Sequence, residues 1–176
     1  MIMRSLSEIE TTSKRASKAA GYSWGISEEV GKGVRLLELF GLAGVKNLNE
    51  YFKSKSKKQF ENLNLINEDN QSNKNPYCPI IFGISFLDQV KTLEKFYKIK
   101  LNNIAYPLLV LPFLSRSSEI IGKKIYYKFD ENEFLLNFNV KIFSKIFSGK
   151  YPISANNVEI IFLENKDNFS EEDGKV

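Results

Sequence analysis

The residues best able to do chemistry are concentrated between positions 24 and 35, around the only tryptophan of the chain. Trp24 could stack on a planar ligand or anchor a protein partner, because an aromatic ring buries much apolar surface on binding. Ser27, Glu28 and Arg35 then add a hydroxyl, a carboxylate and a guanidinium group. We predict these four residues as a candidate site for a ligand or a partner.

Each of these residues also has a purely structural interpretation. Trp24 could fill the top of a small core at a turn between two helices. Glu28 and Glu29 fall in a first helical turn, where the helix dipole alone favours a carboxylate by about 0.3–1 kcal/mol. The sequence leaves both interpretations open.

Two residues further along the chain could join the candidate site. Cys78 is a nucleophile only if a neighbouring charge stabilises its thiolate, and is otherwise a small buried hydrophobic residue. Arg116, between serines, could hold an anion together with their hydroxyl groups, or cap a loop. If the protein is a small enzyme or ligand-binding domain, we expect the sheet to bring Cys78 or Arg116 near the Trp24–Arg35 segment.

The composition excludes several classes of chemistry. The chain contains no histidine, which removes Ser-His-Asp and Cys-His nucleophiles and every histidine-containing metal site. No metal-ligand spacing and no phosphate-binding loop is present, so we predict no metal, no cofactor and no catalytic residue. The single cysteine fits a reducing compartment, which favours the cytoplasm.

Charge and hydropathy narrow the possible partners. The 25 basic and 21 acidic residues are interspersed, so the net charge of +4 does not form the basic stripe of a nucleic-acid-binding protein. The longest apolar run, residues 104–114, is interrupted by two prolines and is far shorter than the roughly 20 residues of a membrane helix. We predict a protein partner, with a small-molecule ligand possible, nucleic acid disfavoured and no membrane association.

The N-terminal fifty residues have the pattern of three helices. A capping box, Ser5 to Glu8, predicts a first helix over residues 6–20, which Gly21 ends. A second helix is predicted over residues 26–40. A second capping-box spacing, Asn47 to Glu50, predicts a short third helix.

Two glycines inside the second helix need an explanation, because each costs about 1 kcal/mol relative to alanine. Gly33 lies on the apolar stripe and is predicted to let the first helix approach closely. Gly31 is predicted to leave a polar notch between Ser27, Glu28 and Arg35, with Trp24 at its mouth.

The remainder of the chain is rich in strand-like segments. A polar connection over residues 54–76 is predicted to be mobile, and strand-like residues over 78–86 precede a helix. A buried strand over 105–112, a helical turn ending at Gly122, a hairpin over 124–138 and a last strand over 158–163 follow. We predict an α+β fold in which the helical hairpin and the short third helix dock on a mostly antiparallel sheet. It forms a single domain over residues 1–163, followed by a disordered acidic tail over 164–176.

Three segments carry a resemblance to a known family: Ser5-Leu-Ser-Glu-Ile-Glu10, the stretch from Ala20 to Glu29 that reads Ala-Gly-Tyr-Ser-Trp-Gly-Ile-Ser-Glu-Glu, and Cys78-Pro-Ile-Ile-Phe-Gly83. With residues 107–113, they resemble a small bacterial family that is catalogued as a domain of unknown function. The resemblance implies a compact bacterial domain, and it implies no substrate.

These observations rank three functions. The first is a cytoplasmic accessory or interaction protein, or a non-catalytic subunit of a metabolic complex. The second is a small ligand-binding domain or enzyme with its site at the Trp24–Arg35 hairpin. Weak nucleic-acid binding is third.

Overall fold

The computed structural model describes residues 3–137 and 141–164, and contacts along the chain divide it into two compact units. The first unit is Met1–Lys58 and the second is Gln59–Val176. The single domain predicted over residues 1–163 stays a prediction, since two compact units can still unfold in one cooperative transition.

The first unit consists of three helices, α1 (Leu6–Ala19), α2 (Trp24–Leu39) and α3 (Gly44–Ser54). α1 begins with the predicted capping box: the Ser5 hydroxyl accepts the Glu8 N–H at 3.2 Å, and the Ser5 N–H donates to the Glu8 carboxylate at 2.8 Å. Gly21 follows α1 with φ +99°, a value that favours glycine. The first two predicted helices are therefore confirmed.

α3 begins earlier than the sequence predicts, and its predicted capping box is wrong. Asn47 lies inside the helix, where its side-chain amide donates to the Ala43 carbonyl at 2.9 Å. The first turn of α3 is instead capped by Glu38 of α2, whose carboxylate accepts the Val45 N–H at 2.8 Å. A cap donated by a neighbouring helix leaves no spacing signal within α3 itself.

The described residues of the second unit form two helices, one 3-10 turn and eight strands. The helices are α4 (Pro79–Leu93) and α5 (Leu111–Ile121), and the 3-10 turn is Pro107–Val110. The strands are β1 (Asp69–Asn70), β2 (Lys98–Leu101), β3 (Ile104–Ala105), β4 (Lys124–Phe129), β5 (Asn132–Asn137), β6 (Lys141–Ile146), β7 (Ser154–Ala155) and β8 (Val158–Leu163).

The main sheet has six strands in the order β1-β2-β8-β4-β5-β6, and β3 pairs with β7 in a separate two-stranded sheet. Every pairing between these strands is antiparallel except β1 with β2. Helices precede this antiparallel-rich sheet, so the predicted α+β class is confirmed.

α4 corrects the strand-like character predicted for residues 78–86. Cys78 is the N-cap, with its sulfur 3.5 Å from the Ile81 N–H, and Pro79 takes the first helical position, where its missing N–H costs nothing. The helix is buried on more than one side, and Phe82 is completely inaccessible. An all-apolar segment has no periodicity, so the sequence does not distinguish strand from helix here.

The buried strand predicted over residues 105–112 is also wrong for most of its length. β3 ends at Ala105, and Pro107 begins the 3-10 turn that leads into α5. Proline fits the first position of a helical turn better than the interior of a strand, because it cannot donate to a ladder. Gly122 ends α5 at φ +65°, as predicted.

The hairpin predicted over residues 124–138 is confirmed as β4 and β5, and the predicted last strand is β8. The positive φ of its turn is at Asp130 (+50°) rather than at the predicted Asn132, which already pairs with Phe129 in the ladder. The Tyr127 hydroxyl, completely buried, donates to the Pro107 carbonyl at 2.9 Å and joins the sheet to the 3-10 turn.

Residues 61–75 of the predicted mobile connection are organised around one carboxylate. Glu61 accepts the backbone N–H groups of Asn73, Lys74 and Asn75 at 3.0–3.2 Å. These hydrogen bonds hold the pKa of Glu61 below its ordinary value of 4.5. Mobility of the segment stays a prediction, which the following experiment tests.

We expect Glu61→Ala to accelerate tryptic cleavage after Lys74, because the three N–H groups lose their common acceptor. In the wild-type protein, the protection factors of amides 73–75, taken against the intrinsic exchange rate at each pH, should fall as Glu61 is protonated at low pH. A lowered pKa contributes stability that is present above pH 4.5 and is lost as the carboxylate is protonated at lower pH. Cleavage after Lys74 at the same rate in both proteins would contradict this role for Glu61.

No helix in the described part of the chain is long and apolar enough to cross a membrane. The predicted acidic tail lies, apart from Glu164, outside the described residues.

Candidate functional site

The Trp24–Arg35 candidate site lies on the surface of the α1–α2 hairpin. α2 begins two residues earlier than predicted because Ser23 is its N-cap, with a hydroxyl that accepts the Ile26 N–H at 3.3 Å. Trp24 is therefore the first residue of α2, and its side chain is 58% exposed. The interpretation of Trp24 as a plug of the core is wrong.

Polar contacts between α1 and α2 run along one side of the hairpin. Lys14 donates to the Glu28 carboxylate at 2.7 Å, and Arg35 donates to the Glu10 carboxylate at 3.1 Å. Both ion pairs are partly exposed, so each contributes little to folding, commonly under about 1 kcal/mol. What they do is fix the directions of four long side chains on a well-defined surface.

Two lysines complete this arrangement at the tryptophan. The ammonium groups of Lys14 and Lys18 lie 5.6 and 5.3 Å from the centre of the Trp24 ring. These distances are within the range of cation–π attraction, which contributes about 0.5–1 kcal/mol at an exposed site. Both ammonium groups therefore lie beside the Trp24 ring, while more than half of Trp24 remains open to solvent.

The electrostatics of Glu28 decide what it can do. The hydrogen bond from Lys14, together with its charge, lowers the pKa of Glu28 below the ordinary value of 4.5. A general base that works at neutral pH needs a pKa near 7, so this shift has the wrong direction for proton transfer. A charged, paired carboxylate suits recognition better than catalysis.

The notch predicted at Gly31 is wrong. Gly31 is buried at the contact with α1, and a Cβ built there would lie 2.8 Å from the Glu10 carbonyl oxygen and 3.3 Å from the Lys14 Cβ. Ser27 is completely buried, and its hydroxyl oxygen has no hydrogen-bond partner among the described residues. Gly31 is therefore a position of close helix approach. Gly33 is also buried in α2, and the close approach predicted there stays a prediction.

Cys78 and Arg116 belong to the second unit. Cys78 is buried, and its sulfur is used as the N-cap of α4. Arg116 lies within α5, not in the loop that it was predicted to cap. The hydroxyls of Ser117 and Ser118 donate to the carbonyl oxygens of Phe113 and Lys123, so these serines are turned towards backbone acceptors.

The structure also contains a groove that the sequence analysis does not predict. It has a volume of about 660 Å³, lies between α1 and α3, and is lined entirely by residues of the first unit. Five of its ten lining residues are apolar: Ala16, Ala43, Val45, Leu48 and Phe52. The sequence analysis assigns Ala16 to the apolar positions of the first helix. The structure leaves Ala16 exposed at the groove.

Metal chemistry has no support in the described ranges. Residues 3–137 and 141–164 contain no group of three or more Cys, Asp and Glu side chains placed to hold an ion.

Comparison with known proteins finds a family whose model matches the N-terminal part of the chain. Residues 4–78 match the model of a family described as "Protein of unknown function (DUF3726)". This confirms the predicted resemblance to an uncharacterised family over the helical unit and the first twenty residues that follow it. No curated protein sequence matches the chain.

One solved structure shows a similar fold. Malate dehydrogenase from Pyrococcus horikoshii OT3 superposes with a TM-score of 0.51 at 10% sequence identity. The match covers 81% of this chain and 49% of the dehydrogenase, so this chain spans about half the length of that protein. At this identity the likeness concerns the fold alone.

Proposed function

We propose that this protein is a non-catalytic interaction protein, either an accessory protein or a subunit of a metabolic complex, and that its N-terminal helical unit binds the partner. The observation that carries the proposal is the exposed Trp24, held on the hairpin surface by Lys14 and Lys18. Tryptophan is among the residues most enriched at the energetic centres of protein interfaces.

The hairpin supports recognition because its side chains are ordered before a partner arrives. The Lys14–Glu28 and Arg35–Glu10 pairs restrict side chains that would otherwise lose rotamer freedom on binding. Each immobilised side chain of this kind costs about 0.5–1.5 kcal/mol at an interface. When side chains are ordered before binding, this loss of conformational entropy does not weaken the complex, so the same contacts give tighter binding.

The same residues argue against the alternative of a small enzyme at the hairpin. Glu10 and Glu28 are both engaged by cationic side chains, and the pKa of Glu28 is lowered rather than raised. Glu28 is therefore not poised to accept a proton at neutral pH.

We place the protein in the cytoplasm as part of this proposal. A single cysteine cannot form a disulfide within the chain, and Cys78 is buried, which fits a reducing compartment.

Capture of partners from native lysate tests the proposed site. We expect Trp24→Ala to weaken capture at least tenfold, because truncation of a central interface tryptophan commonly costs about 2 kcal/mol or more. Arg35→Ala and Glu28→Gln should weaken capture less, and all three variants should keep the wild-type melting temperature. Tyr97→Ala is the matched control, since Tyr97 is 62% exposed but lies in the second unit.

Two results would overturn the proposal. One is a captured partner that is retained by Trp24→Ala as well as by Tyr97→Ala. The other is malate-dependent reduction of a nicotinamide nucleotide, the activity in the name of the archaeal structure, since the protein would then be a catalyst.

A further inference from the structure

We propose that the groove between α1 and α3 binds one acidic amphipathic helix of a partner protein. This inference rests on the proposed function and deepens it, because it names the chemistry of the partner.

The shape of the groove suits a helix. α1 and α3 both pack on α2, and the groove is the space that remains between them. α1 contributes the small side chains of Thr12, Ser13 and Ala16, which let another helix approach closely. α3 contributes Val45 and the half-buried Phe52, against which the apolar residues of an entering helix, spaced three and four apart, can pack. Leu48 also lines the groove but is only 4% exposed.

The apolar wall is accessible to a partner. Val45 is 45% exposed and Ala16 is exposed, although both line the groove. A fourth helix would cover these surfaces and complete a four-helix arrangement in the first unit.

Charge selects an acidic helix. The first unit carries eleven basic and six acidic side chains, a net charge of +5, whereas the second carries a net charge of −1. Lys46 lines the groove. Among the residues next to lining residues in the sequence, Arg15 and Lys53 are exposed, whereas the acidic Glu50 is half-buried. Glu38 is the acidic residue in the lining, and its carboxylate accepts the Val45 N–H.

The same facts disfavour other occupants. A second copy of this helical unit would bring another charge of +5 to the interface. A nucleic acid would use the basic side chains, but it would leave the apolar wall of Val45, Leu48 and Phe52 without a counterpart. An acidic helix with one apolar face satisfies both features.

A labelled peptide tests the inference on the full chain. The probe is a helix of about 18 residues, or five turns, with leucine on one face and glutamate on the other. Its scrambled counterpart has the same composition without an apolar face. Fluorescence polarisation should show at least tenfold tighter binding of the amphipathic peptide, and binding should weaken as salt is added.

Two alanines of α1 provide a matched pair of variants. Ala16→Glu puts bulk and negative charge into the groove and should weaken binding at least tenfold. Ala19→Glu makes the same change at an exposed position of the same helix that does not line the groove, and should leave binding within about twofold of wild type. Lys46→Glu should weaken binding of the glutamate peptide and improve binding of a lysine-faced version.

Three outcomes would overturn the inference. The scrambled peptide could bind as tightly as the amphipathic one, or the two alanine variants could lose the same amount of binding. The third outcome is peptide binding that an oligonucleotide displaces and that Ala16→Glu leaves unchanged. Binding that Trp24→Ala reduces while Ala16→Glu does not would place the peptide on the hairpin instead. That result would overturn the groove and keep the proposed function, which the lysate capture decides separately.

Discussion

Gly83→Val should be among the most destabilising single substitutions in this protein, lowering the free energy of unfolding by about 3 kcal/mol. Gly83 lies in α4, where it faces the Phe113 ring of α5, and a Cβ built on it would lie only 2.2 Å from a ring carbon. Two further ring atoms would be at 2.5 and 2.7 Å, so the whole ring would have to move. Phe113 is 5% exposed, and a buried ring has little room to do so.

Thermal or denaturant unfolding measures this effect, and in a domain of this size each kcal/mol lowers Tm by about 2–4 °C. A double-mutant cycle with Phe113→Ala isolates the cause. If the clash is with the ring, the double variant will be more stable than the sum of the two single losses by at least about 1 kcal/mol. Strict additivity would show that the cost of Gly83→Val arises elsewhere.

Gly31→Leu should produce the second large loss, about 1–3 kcal/mol, by separating α1 from α2. A Cβ at Gly31 would lie 2.8 Å from the Glu10 carbonyl oxygen, and a backbone oxygen cannot turn away as a flexible side chain can. We also expect the emission of Trp24 to change, because a shift of α1 carries Lys14 and Lys18 away from the indole ring. Unfolding curves and fluorescence spectra measure the two effects.

Gly25→Leu is the control for this substitution, since a Cβ at Gly25 meets nothing within 4 Å. It adds the same side chain to the same helix, and should lower stability far less. Equal losses in the two variants would mean that leucine disturbs α2 itself and not its contact with α1.

Stability and recognition are separable in the helical unit. Gly31→Leu is expected to alter the hairpin through its fold, whereas Trp24→Ala and Ala16→Glu change exposed surfaces and should leave unfolding nearly unchanged. Comparing these variants distinguishes residues that build the hairpin from residues that a partner contacts.

The sequence by itself determined the elements whose signals are local. Ser5 and Glu8 mark the start of α1, and Gly21 and Gly122 mark helix ends, because capping and positive φ depend on residues that are neighbours in the chain. The two strand-like segments that flank Asp130-Glu-Asn132 likewise predicted the β4–β5 hairpin.

Only the tertiary structure decided features that depend on contacts between distant segments. The apolar run after Cys78 is a helix. Because this helix is buried on more than one side, its sequence lacks the periodicity that would have identified it. Gly31, predicted to leave a polar notch, instead meets Glu10, because the rotation of α2 about its axis is set by packing and not by the order of its residues. The groove is a space between α1 and α3, and a space enclosed by separate helices has no representation in the sequence of either one.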